Sequence, residues 1–336
     1  MFSTEQQNVE IGDGRTLPPG RRLVNVKHMT DLAPEHYPIL VTGAGGLLGH
    51  ALGPRLARSA PCAGDLWLTD LEASPLATSS RQRRPAGRVL DVTDAAAVEA
   101  AVRDLAPRTV FHLAAWTDVD GAETHPAEVM LLNVKAAGTV ARAAADCGAL
   151  VVHISTDFVF DGTKTEPYVE EDPPNPLGVY ARSKAEGEAR VREAAPEHHL
   201  IVRTAWLYGD GGPNFVRAIL ARARAGEHLR VVQDQVGCPT WNEDLARALV
   251  AMVGAGLRGT YHACGRGAAS RWQFAQEIVR AAGLDVAVEP ITSRERPGEA
   301  RRPARAVLST EKLRREAGHQ FPDWRESVRA YVERVR

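Results

Sequence analysis

The chain has 336 residues, with 41 Lys and Arg against 42 Asp and Glu and a formal net charge of −1. That length suffices for one large or two modest cores, and the balanced charge offers no field that would gather nucleic acid or an anionic membrane surface. No apolar run approaches the roughly 18–20 residues needed to span a bilayer. Residues 1–20 are polar and lack the apolar stretch of a signal peptide. Cys62, Cys147, Cys238 and Cys264 are scattered without metal-ligand spacing, so the sequence reads as a cytoplasmic protein with reduced thiols and no metal site built on them.

Residues 1–37 carry Gly, Pro and charge without a period and read as an N-terminal extension. An apolar strand over 39–42 then runs into glycines at 43, 45, 46 and 49 and into the helical pattern Leu47, Leu48, Ala51, Leu52. In this spacing Gly43 permits a turn with positive φ. Gly46 lets a pyrophosphate approach the backbone, and Gly49 lets helix and strand pack closely. The amides of Leu47 and Leu48 at the helix start then face the anion. An ordinary Gly-rich loop would look the same in isolation. What points to a dinucleotide is the strand before it, the helix after it and an acid about 20 residues further on.

That acid is Asp70, at the end of a second strand over 65–70. Its charge suits the ribose hydroxyls of NADH and repels the extra phosphate of NADPH, whereas Arg81, Arg83 and Arg84 could serve that phosphate. The balance leans to NADH. A polar, Arg-rich loop follows over 74–87. A short strand at 89–90 leads to Asp91 and Val92, and Thr93 or Asp94 caps a helix over 95–105. The strand at 109–113 leads to Ala114, Ala115 and Thr117. A long Ala-rich helix spans 126–147, and a fifth strand spans 150–155.

This alternation predicts an α/β fold, a doubly wound parallel sheet of Rossmann type that binds ligands at the carboxyl ends of its strands. The cofactor-contact candidates are therefore Gly43, Gly46, Leu47, Leu48, Asp70, Asp91, Val92, Ala114, Ala115 and Thr117. Beyond 204 the pattern loosens into loops and helices over 214–226, 242–254 and 270–283, which reads as a smaller C-terminal α/β substrate domain. The NAD(P)-binding domain then covers 38–205, with returning segments around 235–262, and the substrate domain covers 206–234 and 263–336.

Tyr180 and Lys184 lie at i and i+4 of a strongly helical stretch, with about 6 Å between their Cβ atoms. A cation there would lower the phenol pKa and let Tyr180 give a proton to a carbonyl oxygen, while Lys184 also holds the nicotinamide ribose. A Tyr-x-x-x-Lys is common on solvated helices. Thr156, just after the fifth strand, adds a hydroxyl aimed at the same carbonyl. The three in this order behind a nucleotide-type glycine loop make the catalytic candidates Thr156, Tyr180 and Lys184.

Several stretches carry a closer resemblance: VTGAGGLLG (41–49), AAWTDVDGAE (114–123), LNVKAAG (132–138), HISTDFVFDG (153–162) and PYVEEDPPNPLGVYARSKAEGE (167–188). RTAWLYG (203–209), NFV (214–216), VVQDQVGCPT (231–240) and RPARAVLST (302–310) extend it to near the end. Together they resemble the dTDP-4-dehydrorhamnose reductase family of extended short-chain dehydrogenase/reductases. The resemblance implies NAD(P)H-dependent reduction of the C4 ketone of a dTDP-4-keto-6-deoxy sugar, in deoxysugar biosynthesis. It implies substrate contacts from Asp157, Trp206, Asn214, Phe215, Gln235 and Arg302, the last against the pyrophosphate. It also allows a homodimer and a divalent ion such as Mg at the dimer contact, whose ligands these motifs do not place.

The chain departs from the family pattern at Phe158, where Tyr is usual, at Ala181, where Gly is frequent, and in having Asp70 and an N-terminal extension. Two rivals stand beside this reading. One is another nucleotide-sugar reductase or epimerase of the same fold in antibiotic sugar assembly. A dehydratase would need an Asp-Glu pair beside the threonine, where this chain has Asp157-Phe158. The other is a non-catalytic regulatory subunit like that of methionine adenosyltransferase, against which the intact Tyr180, Lys184 and glycine loop argue.

Overall fold

The computed structural model describes residues 31–72, 87–296 and 298–336. Arg81, Arg83 and Arg84, nearly all of the 74–87 loop and most of the expected N-terminal extension lie outside the described residues. The strands are β1 (Ile39–Thr42), β2 (Leu66–Asp70), β3 (Gly87–Val89), β4 (Thr109–His112), β5 (Leu150–Thr156), β6 (His199–Thr204), β7 (Leu207–Tyr208), β8 (Leu229–Val232), β9 (Val236–Gly237), β10 (Thr240–Trp241), β11 (Gly259–His262), β12 (Ala269–Ser270) and β13 (Val288–Ile291). The helices are α1 (Leu47–Ser59), α2 (Ala95–Leu105), α3 (Pro126–Met130), α4 (Ala137–Asp146), α5 (Val179–Ala194), α6 (Phe215–Arg224), α7 (Asn242–Gly254), α8 (Arg271–Ala282), α9 (Glu311–Ala317) and α10 (Trp324–Arg334).

Seven strands form one parallel sheet in the order β11-β6-β5-β4-β1-β2-β3. The chain order reverses between β1 and β4, which makes their carboxyl ends the binding crevice of a doubly wound sheet. A parallel strand covered on both faces must be apolar throughout, and β1 is buried at all four positions. Ile39 and Val41 enter the core shared with α1, α7 and α9, while Leu40 enters the core on the opposite face, with α2, α4 and α5. Asp94 caps α2 by accepting a hydrogen bond from the Ala97 amide.

A further core forms around Tyr208, Phe274, Trp324 and Tyr331, where α6, α8 and α10 surround the β8–β13 pair. α8 is bounded as its sequence suggests, by a Ser270–Gln273 capping box and by Gly283 in the left-handed region. Two features depart from expectation. The helix read over 126–147 is interrupted by a π-helical segment over Leu131–Ala136. The segment after 263 does not all join the second core. Leu313, Ala317 and Phe321 pack into the sheet's core because the short α9 lays its apolar face on β11.

The π segment and α5 meet unusually closely. A Cβ placed on Gly187 would stand 2.3 Å from the Asn133 carbonyl oxygen. G187A must therefore push α5 away from the π segment. It is expected to cost about 1–3 kcal/mol, read as a lower urea midpoint with an unchanged m-value.

Candidate active site

The site begins at the turn after β1. Gly43 has φ +70°, and a Cβ there would come within 2.5 Å of the Ala114 amide nitrogen at the end of β4. A Cβ on Gly49 would stand 2.3 Å from the Ala44 oxygen. Gly46 differs: its nearest obstacle is its own loop's Gly43 oxygen at 3.4 Å, so its outer side is open. The first-turn amides at Leu47 and Leu48 have no carbonyl one turn earlier to donate to. An open glycine beside free helix amides fits the pyrophosphate of a dinucleotide. The loop before α6 covers this turn, since Asn242 Nδ2 donates to both the Leu47 oxygen (2.6 Å) and the Asp210 oxygen (2.9 Å).

Asp70 stands at the end of β2. Its Oδ2 accepts from the Gly45 amide and its Oδ1 from the Leu71 amide, each at 2.8 Å. The carboxylate thus shapes the glycine loop, with one lone pair per oxygen left for a ribose. Asp91 is exposed after β3, and its Oδ1 accepts from the amide and hydroxyl of Thr93, while Val92 is buried beside it. Ala114 and Ala115 are half-buried and Thr117 exposed along the segment that leaves β4.

Thr156 ends β5, and Tyr180 and Lys184 occupy the first two turns of α5, so one sheet edge and one helix bring the three together. Thr156 Oγ1 donates to Asp157 Oδ1 at 3.0 Å and accepts from the Phe158 amide at 3.2 Å. Phe158, in the place where the family usually has Tyr, stands edge-on to the Tyr180 ring at 6.1 Å. Burial pushes the Tyr180 phenol up to about 12, and the Thr156 hydroxyl offsets this only in part. The lowering expected from Lys184 is absent: burial, with the Asp157 charge beside it, keeps the phenol high. At neutral pH the phenol is protonated, which is the form that can donate to an alkoxide. Burial pushes Lys184 the other way, down to about 8, while the Glu188 carboxylate partly restores its charge.

The seat of α5 was not legible from spacing. Asn133, in the π segment, accepts the Trp116 amide at 2.8 Å and donates to Ser183 Oγ at 2.9 Å, and Ser183 donates to the Tyr180 carbonyl. Glu123 Oε1 accepts the Val179 amide at the helix start. Behind the lysine, His112 and His153 stack at 5.5 Å, with His112 Nδ1 2.8 Å from Thr42 Oγ1. Burial, followed by the Lys184 charge, holds both imidazoles well below their ordinary value, so both are neutral.

On the substrate side Asp157 is 1% exposed, and burial pushes its carboxyl up to about 7. Trp206 follows in a left-handed conformation, φ +46°, with its ring edge against Gly237. The Arg271 guanidinium lies 3.6 Å over that ring and 5.3 Å from Phe215, which itself stacks on Phe274. Gln235 is held by Ser293 Oγ, and its carbonyl accepts the Arg271 amide. These residues converge. Asn214 and Arg302 instead have protein partners. Asn214 caps α6 and donates to the Gly209 and Gly212 oxygens, while Arg302 pairs with Asp120 Oδ2 at 2.7 Å and with Glu299 at 3.3 Å. Arg271 itself was missed, because nothing in Ser270-Arg271-Trp272 sets it apart from any helix start. Among the described residues no group of three or more His, Cys, Asp or Glu side chains is placed to hold a metal ion, and no helix is long and apolar enough to cross a membrane.

Known proteins resemble this chain over most of its length. The family model described as the RmlD substrate binding domain matches residues 37–336. The dTDP-4-dehydrorhamnose reductase of Sinorhizobium fredii (strain NBRC 101917 / NGR234) is 42% identical over 253 residues, covering 72% of this chain and 85% of its own. The Streptomyces griseus protein of that name is 38% identical over 295 residues, covering 86% and 91%. The crystal structure of dTDP-4-dehydrorhamnose reductase from Bacillus anthracis str. Ames in complex with NADP superposes with a TM-score of 0.80 at 32% identity, covering 88% of this chain and 98% of that one. A doubly wound sheet with an open glycine turn, Thr156, Tyr180 and Lys184 at its carboxyl edge, and likeness over nearly the whole described length place this chain in the dTDP-4-dehydrorhamnose reductase family.

Proposed function

We propose that this protein reduces the C4 ketone of a dTDP-4-keto-6-deoxyhexose with NADH or NADPH, a step of deoxysugar biosynthesis. The observation that supports the reading is that Thr156 acts on the Tyr180 phenol, with Lys184 one turn along α5, at the carboxyl ends of the same parallel sheet whose β1 runs into the Gly46 turn. Gly43, Gly46, Leu47 and Leu48 would hold the pyrophosphate of the cofactor, Asp70 one ribose, and Lys184 the other. Asp91 and Val92 would line the base, with Ala114, Ala115 and Thr117 along the opposite wall. When bound, the reduced nicotinamide supplies the hydride to C4.

The remaining work belongs to side chains of this chain. Thr156 turns its one hydroxyl proton from Asp157 Oδ1 to the ketone oxygen and so fixes the direction of that oxygen. As the C4 oxygen gains negative charge, the protonated Tyr180 phenol gives it a proton. The Lys184 ammonium, one helical turn away, stabilises the phenolate left behind. Neutral His112 and His153 place no competing cation behind that ammonium. Trp206, Phe215, Gln235 and Asp157 form the sugar-nucleotide side. Asn214 and Arg302 act there by shaping the α6 entry loop and by tying Asp120 down. Residues 38–205 with the returning segments form the nucleotide half, and the rest the substrate half.

Asp70 supports a preference for NADH, since a 2′-phosphate would meet its charge. D70A is expected to shift the ratio of kcat/KM values toward NADPH by about tenfold, or 1.4 kcal/mol, in initial-rate assays with both cofactors. With a dTDP-4-keto-6-deoxyhexose as substrate, Y180F should lower kcat by about 10²–10⁴. Wild-type turnover by Y180F would remove the acid assigned here. Lys184 is charged below its pKa, so kcat/KM should be sustained at neutral pH and fall as pH rises through about 8. K184R, whose guanidinium stays charged, should move that fall to higher pH, which a pH–rate profile reads directly.

A further inference from the structure

The loop over 209–213, which enters α6, has its acceptors and its charge satisfied but not its donors. Gly209 O accepts from Asn214 Nδ2 at 2.7 Å and from the Tyr331 hydroxyl at 2.9 Å. Asp210 O accepts from Asn242 Nδ2 at 2.9 Å, and Gly212 O from Asn214 Nδ2 at 3.2 Å. The Asp210 carboxylate is neutralised by Arg217 Nη2 at 2.7 Å and Arg334 Nη2 at 3.1 Å. The amides of Gly211 and Gly212 are different. Among the described residues no carbonyl or side chain accepts from either, and both glycines keep part of their surface open to solvent. A loop held by its carbonyls, with free N–H groups and no net negative charge of its own, is suited to an anion.

Its place in the molecule says which anion. Gly211 has φ +106°, and a Cβ there would stand 2.5 Å from His50 Cβ and 3.4 Å from the Gly46 oxygen, so the backbone is pressed onto the first turn of α1. For a Cβ on Gly212 the nearest atom is Leu47 Cδ2, at 4.0 Å. Gly46 and Leu47 form the turn assigned above to the cofactor diphosphate. Asn242 fixes the spacing of loop and turn, because one nitrogen, Nδ2, holds both the Leu47 and the Asp210 carbonyls. Across a trans peptide the N–H points opposite to the carbonyl. The Leu48 and Gly211 N–H groups are therefore both turned away from Asn242.

We propose that the Gly211 and Gly212 amides bind the diphosphate of the dinucleotide cofactor across from α1, so that the substrate half of the molecule completes the cofactor site. This rests on the proposed reaction and deepens it. The sugar nucleotide also carries a diphosphate, but the contacts of this loop with Gly46, Leu47 and His50 assign it to the cofactor. Asn214, which holds Gly209 and Gly212, also caps α6 one residue before Phe215. A cofactor gripped by this loop thereby steadies the start of α6 on the sugar-nucleotide side.

The test compares G212P with G212A. Gly212 lies outside the left-handed region and has room for a Cβ, so the two variants differ chiefly in that Pro removes the N–H. By calorimetry G212P should bind NADH and ADP-ribose about tenfold or more weakly than G212A, while the two bind dTDP equally. Equal dTDP binding and equal thermal midpoints check the fold. The wild type supplies a second measurement that needs no variant to fold. In protein labelled with 15N-glycine, the Gly212 amide, identified by its loss in G212A, should move downfield with ADP-ribose and stay in place with dTDP. NADH affinity equal in G212P and G212A, or a Gly212 amide that answers to dTDP and not to ADP-ribose, overturns this inference and leaves the reductase reading standing. A wild type that binds NADH but turns over no 4-keto nucleotide sugar overturns the reaction, and one that does not bind NADH or NADPH overturns both.

Discussion

The site depends on one buried ion pair. Glu188 of α5 takes both its oxygens to Arg203 of β6, with Nε–Oε1 and Nη2–Oε2 each 2.8 Å, and both residues are essentially hidden from solvent. Bidentate geometry of this kind fixes direction as well as distance. A buried pair contributes little net stability over an apolar one, but losing one partner strands a charge at a cost of about 3–5 kcal/mol. Its value lies in position. Glu188 is one turn beyond Lys184 on the same helix face, so a single carboxylate locks the helix to the sheet and helps keep the lysine charged.

The rest of the seat follows from that constraint. With α5 pinned at Glu188, Gly187 is pressed onto the Asn133 carbonyl, where only a glycine fits. The π segment over Leu131–Ala136 presents Asn133 between two elements, and its amide joins the Trp116 backbone after β4 to Ser183 on α5. π-helical turns recur at functional sites for this reason: one extra residue redirects a side chain that regular helix would send elsewhere. The segment after β4 and α5 therefore share a fixed frame, the kind of preorganisation that the proposed reaction would use.

Burial sets the chemistry of the cleft more than neighbouring charge does. It raises Tyr180 and Asp157 and lowers Lys184 and the two histidines, favouring the neutral form in each case. For a reductase this direction is useful. The reaction proposed above asks the tyrosine for a proton at the moment the alkoxide forms, and a phenol kept protonated meets that need. Arg271 is also lowered by burial, to about 10, and so keeps its charge at neutral pH, with Asp157 acting in its favour.

The sequence by itself determined the order of strands and helices, the glycine turn with its acid at Asp70, and the Thr156, Tyr180, Lys184 set, because each follows from a local period or a fixed spacing along one element. Resemblance across nine short stretches supplied the family. Tertiary structure alone decided what those residues meet. The burial that raises Tyr180, the pairing of Arg302 with Asp120, and the stacking of Arg271 on Trp206 are all set by distances between elements. So is the π turn that spoils an otherwise regular helix. Desolvation and long-range contact depend on the whole packed shape, and no window of the chain contains it.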